Sequence, residues 1–235
     1  MLSLPAALGR AVGQLTDPAI LKVLAKSIGL TLVLLVAIGV AAGTGTDALL
    51  SYWEFDFGSE AGALVSLLLV LVGGFLLFRI IALAVIQFFA DEIVEAVELR
   101  HYPAERANAR KLDWREEMAN SLRSTGRTIL VNFGALIVAI PLLLTGIGPA
   151  VLFFIVNAWL LGRELQDLAW IRHRHVRDAT PPIGGMERLA LGATIAGLLL
   201  VPFINLLAPV LGAAAACHLV HRRKGAAMPA TSHAA

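Results

Sequence analysis

A short segment near the N-terminus has the residues expected of an anion-binding site. Asp17 is placed to cap a helix and Pro18 to be its first residue. The first turn of a helix presents unpaired N–H groups and a partial positive charge, which suit a tetrahedral oxyanion. Lys22 adds a point charge one turn later. The alternative is an ordinary capped helix start whose lysine reaches the membrane interface. The candidate residues are Asp17, Pro18, Ala19, Ile20, Leu21 and Lys22.

Four further polar residues in apolar surroundings are pore or interface candidates. Arg79 lies inside an apolar run, where a charge usually faces water or a bundle interior; alternatively, it reaches the interface or pairs with an acid. Arg163 and Glu164 could line a vestibule, although an interfacial ion pair that orients the helix is favoured. Asn205 could face a permeant ion, but bonding to freed backbone groups is the favoured interpretation.

Other titratable residues are expected to be structural. Asp91, Glu95 and Glu98 share one helix face, and this pattern is typical of a solvated surface. His173 is expected at the interface without further ligands nearby, and Cys217 is expected to pack as a small buried hydrophobe. No P-loop, zinc-ligand spacing or nucleophile elbow occurs in the sequence. We therefore expect no metal, no cofactor and no enzymatic activity.

Two apolar runs that resemble each other are expected to position the candidate residues. Residues 138–155 and 199–216 are each broken by two prolines: Pro141 and Pro149, then Pro202 and Pro209. Such interruptions are typical of broken or re-entrant membrane helices. Arms of about 14 to 17 residues would reach roughly 21–26 Å, short of a hydrocarbon core of roughly 30 Å. Two half-penetrating hairpins are therefore favoured over four full spans.

Composition indicates an all-α integral membrane protein. The chain has 235 residues, of which 58% are hydrophobic and 15% charged, whereas soluble domains are about 25% charged. The net charge of +2 gives no reason to expect nucleic acid as a partner. We predict a single membrane domain over residues 1–224 and a disordered tail over 225–235. Its expected parts are an interfacial amphipathic helix (1–15), long transmembrane helices (18–42 and 61–100) and Pro-broken helical hairpins (128–162 and 190–221).

The distribution of basic residues predicts the orientation in the membrane. Residues 43–60 contain no Lys or Arg, whereas the segments around residues 100–127, 163–177 and 222–224 are rich in basic residues, mostly Arg. Because cytoplasmic loops are enriched in Lys and Arg, both termini are expected in the cytoplasm and the 43–60 loop outside. Both hairpins would then enter from the cytoplasmic side and return to it.

Four segments carry a resemblance to a known family. DEIVEAVELRHYP, IPLLLTGIGP, NAWLLGREL and VPFINLLAPVLGAAAACHL resemble the CysZ-type sulfate permeases and their etoposide-induced-protein-like membrane domain, over about residues 15–221. Gly162-Arg163-Glu164 is similar to the GRE-containing bacterial relatives. The resemblance implies two long transmembrane helices, two half-penetrating hairpins, oligomers, and sulfate uptake that feeds cysteine biosynthesis without an ATPase.

The resemblance also implies a sulfate site at the start of the first long helix. The family pattern there is Pro-Gly-Leu/Ile-Arg, and the matching segment begins at Pro18. Ala19 stands in place of the glycine and Leu21 in place of the first arginine, while Lys22 keeps a positive charge. The leading hypothesis is an oligomeric permease of the bacterial inner membrane for sulfate or a related small oxyanion. The alternative is a non-transporting membrane scaffold or envelope-biogenesis protein with the same fold.

Overall fold

The computed structural model describes residues 3–53, 81, 85, 89–174, 180–201 and 204–222, and every regular element in these ranges is helical. The chain divides into two compact units, Met1–Ile20 with Ala90–Ala235, and Leu21–Phe89. The single membrane domain predicted over residues 1–224 stays a prediction. The helices are α1 Leu4–Gly13, α2 Pro18–Trp53, α3 Ala90–His101, α4 Pro103–Ala107, α5 Trp114–Leu142, α6 Gly148–Trp170, α7 Gly185–Leu200 and α8 Ala208–His221.

The first long helix continues well past its expected end. Helix α2 runs to Trp53 rather than stopping near residue 42, because the weak helix formers of the Gly43–Gly45 stretch neither lock φ nor remove a backbone donor as proline does. Of the second long helix, predicted over 61–100, the structure describes Ile81, Val85 and the stretch from residue 89 onward, which includes α3. Arg79 and the predicted tail 225–235 lie outside the described residues.

Helix α8 is the centre of the larger unit. All of its residues are buried, and α1, α3, α6 and α7 pack around it. The small side chains of the Ala213–Ala216 run allow this close approach. Helix α1 packs against α8, and it buries Ala7 and Ala11 while its Val12 is exposed, as expected of an amphipathic helix.

The first proline-broken pair is a hairpin in which α5 and α6 are joined by a 3-10 turn, Leu143–Thr145. Gly146 has φ +70°, a left-handed conformation that favours glycine. The Thr145 hydroxyl donates to the Leu142 carbonyl oxygen at 2.7 Å and accepts from the Gly148 N–H at 2.9 Å. These bonds satisfy backbone groups at the break, and a chain reversal at membrane depth would need such internal partners.

The arms of this hairpin are longer than the sequence predicted. Helix α5 has 29 residues and α6 has 23, since both helices continue beyond the apolar run into charged sequence. Within the described residues, Pro18–Ile38, Trp114–Thr145 and Gly148–His173 are long and apolar enough to cross a membrane, by length and composition. Half-penetration therefore stays a prediction, and helix length alone does not decide it.

Candidate functional site

The predicted anion site has a carboxylate at its centre. Asp17, between α1 and α2, has its Oδ1 2.5 Å from Nη1 of Arg100 in α3. Pro18 and Ala19 are exposed, whereas Ile20 is buried. Because a helix N-terminus stabilises negative charge, Asp17 already occupies the role expected of a bound anion. Arg100 is a cation at this position that the sequence analysis did not name.

The remaining residues of that segment point away from the core of the smaller unit. Leu21 and Lys22 are both exposed on α2. One turn further along, the Lys26 ammonium lies 5.8 Å from the centroid of the Phe89 ring. Lys22 and Lys26 are thus two exposed lysines on one helix that differ in their surroundings.

The other candidates described by the structure lie apart from that segment in the sequence and on other elements. In α6, Nε of Arg163 lies 3.7 Å from Oδ2 of Asp167, and Nη2 of Arg127 lies 3.9 Å from the same oxygen. Glu164 is exposed. Asn205 lies in the 3-10 turn Ile204–Leu206 of the second broken pair, with only 5% of its surface exposed.

A buried cluster of Glu98, His173 and His221 is the main feature that the sequence analysis missed. Glu98 was expected on a solvated face and His173 at an interface, but both are within 1% of complete burial. The Nε2 atoms of His173 and His221 lie 2.8 and 2.9 Å from the same oxygen, Oε1 of Glu98. Both expectations were wrong, because α3 and the end of α6 pack against α8 at these residues.

Hydrogen bonds and an arginine stabilise the negative charge of Glu98 in this cluster. Burial raises the pKa of Glu98, but hydrogen bonds from His173 and His221 and the charge of Arg172 outweigh it and lower the pKa to about 2. Arg172 Nη2 lies 3.6 Å from Glu98 Oε2, and its Nη1 lies 2.8 Å from Oε1 of the more exposed Glu95. Glu98 is therefore a carboxylate, not a carboxylic acid, at neutral pH.

A second polar chain runs beside the cluster. The Gln14 side-chain amide donates to Nε2 of His218 at 2.9 Å. This places the His218 proton on Nδ1, from which it donates to the Tyr102 hydroxyl oxygen at 2.8 Å. The Tyr102 ring lies 4.9 Å from the His221 ring, and burial raises the pKa of Tyr102. Residues at the C-terminal ends of α1 and α3 are thus joined to α8 by polar contacts.

Three atoms of the buried cluster make no hydrogen bond: Oε2 of Glu98, Nδ1 of His173 and Nδ1 of His221. Leaving a buried polar atom without a partner costs about 1–3 kcal/mol. The cluster is therefore a costly arrangement, and such sites are frequently functional.

The long apolar helices and the absence of strands in the described ranges define a multi-pass α-helical integral membrane protein. The family model described as sulfate transporter CysZ/etoposide-induced protein 2.4 matches residues 7–209, so the chain belongs to this family. Membership of this transporter family supports a function of the sulfate-transporter type in general terms. No curated protein matches the chain significantly.

Proposed function

We propose that this protein is a permease for sulfate or a related small oxyanion that feeds sulfur assimilation. The observation that carries the proposal is the family match, which covers most of the chain. We place the protein in a bacterial inner membrane as a homo-oligomer, with both termini in the cytoplasm. Passage follows a polar path between the two hairpins, where helix N-termini and basic residues select anions.

The start of α2 is the proposed entry site, formed by residues 17–22. The Asp17–Arg100 pair supports it, because an arriving oxyanion can take the place of the carboxylate beside the guanidinium and the helix N-terminus. Lys22 is exposed on α2 and carries the positive charge of this segment. Arg79, Arg163, Glu164 and Asn205 stay proposed as pore or interface residues.

Uptake of radiolabelled sulfate into liposomes that contain the purified protein tests this function. We expect Lys22→Ala to weaken the apparent affinity for sulfate at least about tenfold, since a hydrogen bond to a charged group contributes about 1.5–3 kcal/mol. Lys26→Ala is the control, because it removes another exposed lysine one turn away, and we expect it to leave the affinity unchanged. Chloride and phosphate serve as competitors.

One outcome would count against the permease and another against its entry site. If folded protein gives no uptake above that of empty liposomes, the scaffold or envelope-biogenesis role becomes the better explanation. If both lysine variants transport as the unaltered protein does, the permease stands but its entry site does not include Lys22.

The depth of the first hairpin can be measured with a single introduced cysteine at its tip. Leu144 is 94% exposed at the turn, whereas Cys217, the chain's one cysteine, is fully buried. If the hairpin penetrates halfway, Leu144→Cys should resist a membrane-impermeant maleimide added to either side. Met186→Cys, at the exposed start of α7, should be labelled from the cytoplasmic side. Labelling of Leu144→Cys from outside would instead establish a full span.

A further inference from the structure

We propose that Glu98, His173 and His221 form a binding site for a divalent transition-metal ion, for which Zn²⁺ is the best fit. Two imidazoles and one carboxylate are a ligand set that zinc uses, with a fourth position left for water. This site is independent of the proposed transport function and involves none of the residues in the proposed entry site.

The three side chains lie close enough together to share one metal ion. One ligand atom from each residue lies within 4.8 Å of the other two. Both Nε2 atoms already converge on Oε1 of Glu98, at 2.8 and 2.9 Å. Zinc bonds of about 2.0–2.2 Å in tetrahedral geometry require ligand atoms about 3.3 Å apart. Each histidine nitrogen would therefore have to move a few tenths of an ångström away from Oε1 of Glu98 to admit the ion.

The charges around the cluster allow a cation. The nearest carboxylate oxygen to Arg172 belongs to Glu95 at 2.8 Å, while Oε2 of Glu98 is 3.6 Å away. The closer partner of Arg172 is thus Glu95. Oε2 of Glu98 makes no hydrogen bond but is ion-paired with Arg172, so Oε1 is the oxygen that would bind the ion.

The three ligands come from separate elements: α3, the 3-10 turn Ile171–His173 and α8. Glu98 is 75 residues from His173 and 123 residues from His221 in the sequence. A bound ion would therefore cross-link distant parts of the larger unit and stabilise its folded state. Binding through Nε2 needs the imidazole proton on Nδ1 of each histidine.

Metal content of the full-length protein, purified without a polyhistidine tag, tests the site. The protein is stripped with a chelator, reloaded with ZnCl₂, separated from free ion and measured by elemental analysis. We expect one zinc per chain, lost in Glu98→Gln, His173→Gln and His221→Gln. His101→Gln, which alters an exposed histidine next to the network, should keep its zinc. Zinc content that these three substitutions leave unchanged would overturn the proposal.

Two measurements on the unaltered protein guard against variants that do not fold. Zinc should raise its melting temperature by roughly 5 °C, and the chelator should reverse this rise. Co²⁺ should give the visible spectrum of a four-coordinate nitrogen and oxygen site. A thiolate band would implicate Cys217 and contradict the proposed ligands. If the protein binds neither Zn²⁺ nor Co²⁺, the site itself is contradicted.

Discussion

Replacing Gly192 with alanine is expected to destabilise the protein strongly. A Cβ at this position in α7 would overlap the backbone carbonyl of Ala158 and the backbone N of Gly162 in α6. Backbone atoms cannot rotate away as a side chain can, so the two helices must separate. Overpacking typically costs about 1–3 kcal/mol, and we expect about 3 kcal/mol here because α6 and α7 share the most extensive helix–helix contact among the described elements.

Gly197→Ala is the matched control on the same helix. Nothing lies within 4 Å of the position its Cβ would take, so the better helix propensity of alanine should make this variant neutral or up to about 1 kcal/mol more stable. Thermal unfolding can be followed with a thiol-reactive dye, because Cys217 is fully buried in the folded chain. Equal stability of the two variants would show that α6 and α7 do not pack closely at Gly192.

The proline pattern predicted the breaks between helices, because proline affects the backbone only within a few residues of its own position. Pro149 and Pro209 lie in the first turns of α6 and α8, where a missing N–H costs nothing. Pro141 instead lies inside α5, and the reversal follows at Thr145 and Gly146. The position of the break was therefore predictable to within a few residues, while the arm lengths were not, since the helices continue through charged sequence.

The buried cluster was not predictable from composition and local spacing. His218 and His221 are three residues apart on α8, a visible signal, but Glu98 lies 123 residues before His221. Val94, Val97 and Glu98 share the buried face of α3, so the apolar stripe that leads to Glu98 was the available local clue. A carboxylate at the end of such a stripe can be either buried or part of a solvated helix end. Only the tertiary packing of the helix distinguishes these two positions.

The pKa of Glu98 makes folding stability depend on pH in a defined direction. Its pKa in the folded chain is lowered from 4.5 to about 2. The carboxylate therefore stabilises the fold fully above about pH 4.5, and this contribution is lost as the pH falls towards 2. The difference between the two pKa values corresponds to about 3 kcal/mol at neutral pH, a large fraction of the stability of a typical domain.

Glu98→Gln should therefore be about 3–5 kcal/mol less stable than the unaltered protein at pH 7, because a buried charge partner is removed. In chelator-treated protein, this difference should shrink as the pH is lowered from 4.5 towards 2, and unfolding in denaturant at each pH measures it. Glu95→Gln, one turn earlier and about half-exposed, should cost no more than about 1 kcal/mol. A stability difference between Glu98→Gln and the unaltered protein that stays constant in acid would mean that the Glu98 carboxylate is not the group that titrates.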